Sequence, residues 1–259
     1  MSHVGTKIYR RALFAFLLAV LLVFLVWPIV LTVSGGFFEP IVTVTAPDGS
    51  QTTTGGGFTF KYIVQVFQDP LAVEGLTNSL FIAVFTTILC VVIALPLAVL
   101  STRYEFRGKA VLTSIVLVPL ILPPFVGVIG LRAILGRMGA LNALLGDVGL
   151  LDPTQPGVDF LGGELMPRFW GVVIMEALHL YPILYLNVAA ALANLDPALD
   201  EAAQNLGAGW WRRFRRITMP LILPGLFAGC TIVFIWSFTE LGTPLMFDYY
   251  RVTPVQIFW

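Results

Sequence analysis

The chain has 259 residues, 58% of them hydrophobic and only 12% charged, with a mean hydropathy of +0.89. Soluble domains carry roughly 25% charged residues, so this chain lacks the polar surface that a water-soluble fold needs, and the class left is a polytopic membrane protein. Fifteen Lys and Arg balance fifteen Asp and Glu, which gives no sign of a nucleic-acid binder, and Cys90 and Cys230, both in apolar runs, exclude a disulfide framework.

A hydrocarbon core roughly 30 Å thick takes about 20 apolar residues in a helix. The first such run is Ala12 to about Thr32, behind Lys7, Arg10 and Arg11. It is longer than a signal-peptide core and no A-x-A cleavage site closes it, so it is expected to stay as a span. The stretch 33–75 follows. IVTVT and QTTT flank Ala46-Pro47-Asp48-Gly49, which predicts a β-hairpin, and FTFKYIVQVFQ predicts a short interfacial helix. Further spans are expected over Leu76–Leu100, Val111–Ile134, Phe169–Leu192 and Leu221–Leu241. The loop GDVGLLDPTQPGVDFLGG reads as a loop and little more, and no internal repeat is visible.

The segments between spans alternate in charge. Arg103, Arg107 and Lys109 lie in one short loop, and Arg212, Arg213, Arg215 and Arg216 in another. With the amino-terminal three they make ten of the 15 basic residues. Cytoplasmic loops collect Lys and Arg, so these segments and the amino terminus are expected in the cytoplasm, with 247–259 outside. The zero net charge is then a division across the membrane.

The second basic segment reads LDPALDEAAQNLGAGWWRRFRRITMPLILPG. Asp196 followed by Pro197 is a helix start, because the carboxylate caps free N–H groups and proline suits the first helical position. Ala198–Leu206 favours helix and Gly207 suits the left-handed residue that ends one. A basic-aromatic helix, Trp210–Arg216, is expected to lead into Pro220. The result is a helix–turn–helix hairpin between two spans. Lipid pairing explains the arginines but neither the small Ala202-Ala203 face nor the glycine break.

Glu201-Ala202-Ala203, three residues, Gly207, nine residues, then Ile217-Thr218-Met219-Pro220 resembles the EAA signature of ABC importer permeases, departing only at Met219 where that family has Leu. The resemblance runs from about Leu76, at Thr77-Asn78-Ser79, to the end. EALHLYPILYLN and FTELGTPLMFDYYRVTPVQIF look most like the ferric-iron-type branch, which also holds thiamine and phosphonate transporters. It implies an all-α transmembrane bundle, with residues 1–75 as tail, first helix and outer loop and 76–259 as the permease core. It also implies that 196–216 is a coupling helix seated in a cytoplasmic ABC ATPase dimer, with Glu201 across the groove and Gly207 at the turn. The ATPase would carry the ATP and magnesium, a periplasmic solute-binding protein would deliver solute, and a second permease bundle would complete the path. Because the branch fuses two bundles in one chain, a chain of five spans ending at Trp259 is expected to be part of a longer permease. Ferric iron is the substrate the branch suggests. Most of the four arginines are expected to meet lipid, the remainder ATPase carboxylates.

No P-loop is present: Gly108-Lys109 is followed by Ala110 and has Arg103 where the first glycine belongs. No metal cluster is spaced for ligation, His3 and His179 being far apart. Within the spans, Glu176 and His179 share a helical face, Tyr181 and Asn187 lie beyond, and Glu240 ends the last span. Intramembrane charges face a cavity or a partner. Two readings stand: Glu176, His179, Asn187 and Glu240 line a polar path, or Glu176 pairs with His179 or Arg132 to hold helices together. Pro119, Pro123, Pro124, Gly127 and Gly130 interrupt the third span, either as a broken helix of the kind transporters use at substrate sites or as a packing kink. Gly225 and Gly229 form a G-x-x-x-G face for close helix contact. The expected function is the membrane-spanning permease of a bacterial ATP-driven importer, working by alternating access in the inner membrane. One rival is a proton-coupled secondary transporter using Glu176 and His179, and another is an intramembrane hydrolase using His179 with Cys90 or Cys230.

Overall fold

The computed structural model describes residues 3–45, 51–151, 157–161 and 166–258. The chain divides into two units, Met1–Val73 and Glu74–Trp259.

In the first unit, α1 (His3–Leu21) runs through a π-turn, Leu22–Val26, into α2 (Trp27–Gly35). The cause is Pro28. Its ring cannot sit against the carbonyl four residues back, and the turn before it widens so that the Trp27 N–H donates to Leu22. The helix exposes apolar residues on every side, with Leu17, Phe24 and Ile29 more than half exposed, which suits lipid and not water. Beyond it Phe37, Phe38, Phe58 and Phe60 stack with centroids 5.0 to 6.0 Å apart. The expected hairpin forms as β1 (Val42–Thr45) and β2 (Gln51–Thr54), antiparallel with Val42 opposite Thr54. Its 46–49 turn lies outside the described residues. The expected interfacial helix is α3 (Lys61–Gln68).

The next helix, α4 (Pro70–Arg103), starts six residues before the expected Leu76. Asp69-Pro70 is the reason: the Asp69 carboxylate accepts from the Leu71 N–H at 2.9 Å, with proline at the first helical position. Within the second unit, α4 presents Ala83, Thr86, Cys90, Ala94 and Ala98 at a spacing of three to four. That small-residue face is buried and lets a neighbouring backbone approach closely.

The expected third span, Val111–Ile134, is not one helix. It is α5 (Lys109–Ile121) and α6 (Pro124–Leu135), broken at Leu122 and Pro123, both extended. Each precedes a proline, and proline excludes the α region from the residue before it. At 13 residues α5 is too short to cross a membrane. After α6 come α7 (Ala140–Asp147) and α8 (Arg168–Ala193), then α9 (Pro197–Asn205) and α10 (Trp210–Arg213). A π-turn, Phe214–Thr218, continues α10 into α11 (Met219–Thr239), followed by α12 (Gly242–Met246) and α13 (Thr253–Phe258). The expected lead into Pro220 is made by this wide turn, in which the Met219 N–H reaches back to Phe214, the same solution as at Pro28.

Among the described residues, five helical segments are long and apolar enough to cross a membrane: Tyr9–Gly35, Pro70–Arg103, Pro124–Asp147, Arg168–Ala193 and Trp210–Thr239. In the second unit α8 is the central helix, 67% buried over its most apolar window against 28% for α4 and for Trp210–Thr239. It packs antiparallel on α11 through the expected glycine face. Gly225 lies against Ala191 and Gly229 against Leu184 and Asn187. Parallel contacts tie α8 to α4: the Cys90 Sγ meets the Ala177 carbonyl at 3.5 Å and the Tyr185 hydroxyl donates to Ser101 at 2.9 Å. Thr77-Asn78-Ser79 marks where α4 meets the last segment. The Asn78 amide donates to the Arg251 carbonyl at 2.8 Å, and the Ser79 hydroxyl accepts from the Thr253 N–H at 2.9 Å.

Candidate functional site

The hairpin forms residue by residue as its local chemistry dictates. The Asp196 carboxylate accepts from the Ala198 N–H at 2.9 Å and Pro197 opens α9. At the other end Gly207 takes φ +78°. The Gly207 N–H donates to Gln204 at 2.9 Å and the Ala208 N–H to Ala203 at 3.0 Å, which closes the last carbonyls. An L-residue at this left-handed position is strained. Leu199, Ala202 and Leu206 follow at helical spacing and are exposed, Leu206 by 88%, with exposed Glu201 beside them. Ala203 is half-buried behind that stripe. This short helix offers leucines to solvent beside one exposed carboxylate. Ile217 is half-buried and Pro220 exposed in the turn that leads into α11.

The opposite side of α9 is polar and held. The Arg213 Nη1 donates to the Asp200 carboxylate at 3.3 Å and to the Gln204 amide oxygen at 2.8 Å. Arg103, from the end of α4, stands 3.6 Å from the same Asp200 oxygen. Of the four arginines expected to meet lipid or ATPase carboxylates, Arg213 has its charge used inside the hairpin, while Arg212, Arg215 and Arg216 are exposed. The sequence carried no local signal for this group, since Arg103 comes from another loop.

A second feature lies at the broken third span. In a continuous helix the Pro119 and Leu120 carbonyls would accept from residues 123 and 124, but both are prolines without an N–H. The break faces His179 of α8. Beside it a cleft of about 290 Å³ opens, with Pro119, Leu122, Pro123 and Gly127 on one wall and His179 and Tyr181 on the other. The break is thus a broken helix beside a cavity.

The cleft brings together Pro123 and His179 from the expected path residues. Its lining does not include Pro124, Glu176, Asn187 or Glu240. Pro124 is the first residue of α6. Glu176 is 2% exposed between three helices, accepting from Ser237 of α11 and, at 3.5 Å, from Thr86 of α4. Neither expected partner of Glu176 is among these: His179 lines the cleft, and Arg132 pairs with Asp248 at 3.2 Å over the Phe247 ring. The Asn187 amide donates to its own helix at Ile183, 2.9 Å away. Glu240 ends α11 and caps α12, accepting from the Gly242 and Thr243 N–H groups at 3.1 and 3.3 Å. Cys90 is fully buried in the helix packing. Because Glu176 joins α4, α8 and α11, Glu176→Leu is expected to destabilise the protein by about 1–3 kcal/mol, and Glu176→Gln, which keeps an acceptor, by less. Thermal unfolding in detergent measures both; equal midpoints would mean that the two hydroxyl bonds contribute nothing.

Residues 91–251, more than half of the chain, match the family described as binding-protein-dependent transport system inner membrane component. The chain belongs to that family. It is 34% identical over 183 residues to a probable molybdenum ABC transporter permease protein of Haloferax volcanii, covering 70% of this chain and 61% of the relative. It is 28% identical over 210 residues to a putative ferric transport system permease protein of Haemophilus influenzae, covering 81% of this chain and 32% of the relative. The chain therefore spans under two thirds of either relative's length. The fold is shared with a solved bacterial ABC transporter involved in the import of the acidic polysaccharide alginate, with a TM-score of 0.68 at 20% identity, over 99% of this chain and 86% of that one.

Proposed function

We propose that the chain is the membrane-spanning permease part of an ATP-driven importer and that α9 is its coupling helix. The observation that carries this reading is the exposed stripe of Leu199, Ala202 and Leu206, with exposed Glu201, on a capped, glycine-terminated helix. An ATPase dimer, holding ATP and magnesium, receives that stripe, and closure of the dimer pushes on α9. A periplasmic binding protein delivers solute at the other face, a second permease bundle completes the path, and the spans move by alternating access. The ten basic residues at the amino terminus and in the two arginine-bearing segments put that side in the cytoplasm, where exposed Arg212, Arg215 and Arg216 meet anionic lipid.

The cleft at Pro123 and His179 is the proposed part of the solute path, because freed carbonyls and an imidazole are polar groups a passing solute can use. Ferric iron is not favoured by this cleft, whose lining residues offer no carboxylate. The names of the relatives range over molybdenum and ferric transport, and the proposal stops at a small solute.

The test is co-purification of the assembled transporter. Glu201→Arg is expected to cut recovery of the ATPase with the permease at least tenfold, while Arg212→Gln leaves it unchanged. Equal recovery from Glu201→Arg and the wild type would refute the coupling role.

A further inference from the structure

We propose that Asp200 is a positioning residue that locks α9 to the end of α4, so that the hairpin and the central spans move as one body; this rests on the coupling reading of α9. The physical case begins with what α9 lacks. None of its residues is buried and only Asp200 and Ala203 are half-buried, so apolar packing fixes it weakly against the bundle. Its hold is polar and converges on one carboxylate. The same Asp200 oxygen faces Arg213 of α10 at 3.3 Å and Arg103 of α4 at 3.6 Å. Arg213 also reaches Gln204 at 2.8 Å, one turn further along α9, so two successive turns are tied.

These groups are not free surface charges. The Arg213 side chain is 15% exposed, and those of Arg103 and Asp200 are 29% exposed. They line a cavity of about 180 Å³ with Val99, Trp210 and Thr218. Pairs held this far from water are screened less than surface pairs. Without the carboxylate, two guanidiniums would face one another there, and the Arg213 Nε already has no acceptor among the described residues. The tie continues into the membrane. Two residues before Arg103, Ser101 accepts from Tyr185 of α8 at 2.9 Å in the buried interior. Tyr185 is one turn from Tyr181, which with His179 lines the cleft. A push on α9 thus enters α4 through Asp200 and α8 through Ser101, by contiguous polar contacts.

The experiment reads the α9–α4 distance in the permease–ATPase complex. On a Cys90→Ala, Cys230→Ala background, spin labels replace Ala198 on α9 and Val92 on α4, both exposed, and pulsed dipolar spectroscopy is recorded without nucleotide and with ATP and vanadate. A single narrow distribution is expected, unchanged between the two states. Asp200→Asn is expected to broaden it at least twofold, Asp200→Glu to restore it, and Arg103→Gln, which keeps the Arg213 arm and guards against a misfolded Asn variant, to broaden it less. A width unchanged by Asp200→Asn, or equal broadening by Asn and Glu, overturns the proposal. Failure of the coupling reading shows instead as retention of the ATPase by Glu201→Arg, because that recovery reads the exposed face of α9 and the label distance reads its hold on α4.

Discussion

Gly229→Leu is expected to cut the yield of monodisperse permease at least tenfold and to lower its unfolding midpoint by about 5 °C or more. The contact of α8 with α11 is the tightest test of the bundle, because lipid offers no hydrophobic drive between helices and close packing must supply the attraction. A Cβ built at Gly229 would stand 2.5 Å from the Leu184 Cδ1 and 3.1 Å from the Asn187 Cβ, and one at Gly225 2.7 Å from the Ala191 Cβ. Leu184 is fully buried and cannot turn away. Overpacking a filled interface costs about 1–3 kcal/mol, and a leucine brings three further carbons beyond the Cβ. Splaying the pair would also draw Ser237 away from Glu176, a buried carboxylate whose other oxygen already lacks a partner among the described residues. Size-exclusion profiles and thermal melts in detergent decide the matter. A Gly229→Leu protein that elutes and melts like the wild type would show that the glycine face does not hold the bundle.

The joint substitution Pro123→Ala and Pro124→Ala is expected to make α5 and α6 one helix and to reduce solute uptake at least tenfold. Both alanines restore an N–H for the Pro119 and Leu120 carbonyls. They also remove the restraint that keeps Leu122 and Pro123 extended. With the Pro119 carbonyl satisfied inside the helix, the wall of the cleft opposite His179 straightens. Amide exchange across 119–127 should slow more than tenfold in the reconstituted transporter. Fast exchange in the double variant would mean that packing on α8, and not the prolines, keeps the helix broken. Slow exchange with full uptake would remove the cleft from the path.

How much was legible in advance follows from how local each cause is. Asp196, Pro197 and Gly207 act within one helix, so the start and stop of α9 could be read directly, and the same Asp-Pro signal at Asp69 explains why α4 begins early. The hairpin strands and α3 follow from alternation and turn residues in the same way. Pro123 and Pro124 announced trouble in the third span, but whether they kink or break it depends on what packs against the freed carbonyls, and the facing α8 is distant in sequence. Glu176 and His179 share a helical face by spacing, yet the surrounding helices separate their roles: Ser237 and Thr86 bond Glu176, while His179 lines the cleft. Arg213 looked like its three neighbours in a basic run. Only the fold of the hairpin against α4 separates it from Arg212, Arg215 and Arg216.

The amino-acid sequence by itself determined that this chain lives in a membrane, where most of its spans lie, and that it carries the EAA signature on a capped hairpin. Those properties depend on apolar length, charge asymmetry and residues a few positions apart, which any chain of this sequence would share. The tertiary structure alone decided which polar groups face one another. Glu176 became an interhelical bond, Glu240 a helix cap and Asp200 the meeting point of two arginines, because partners for a buried or half-buried charge are chosen by the helices that pack around it.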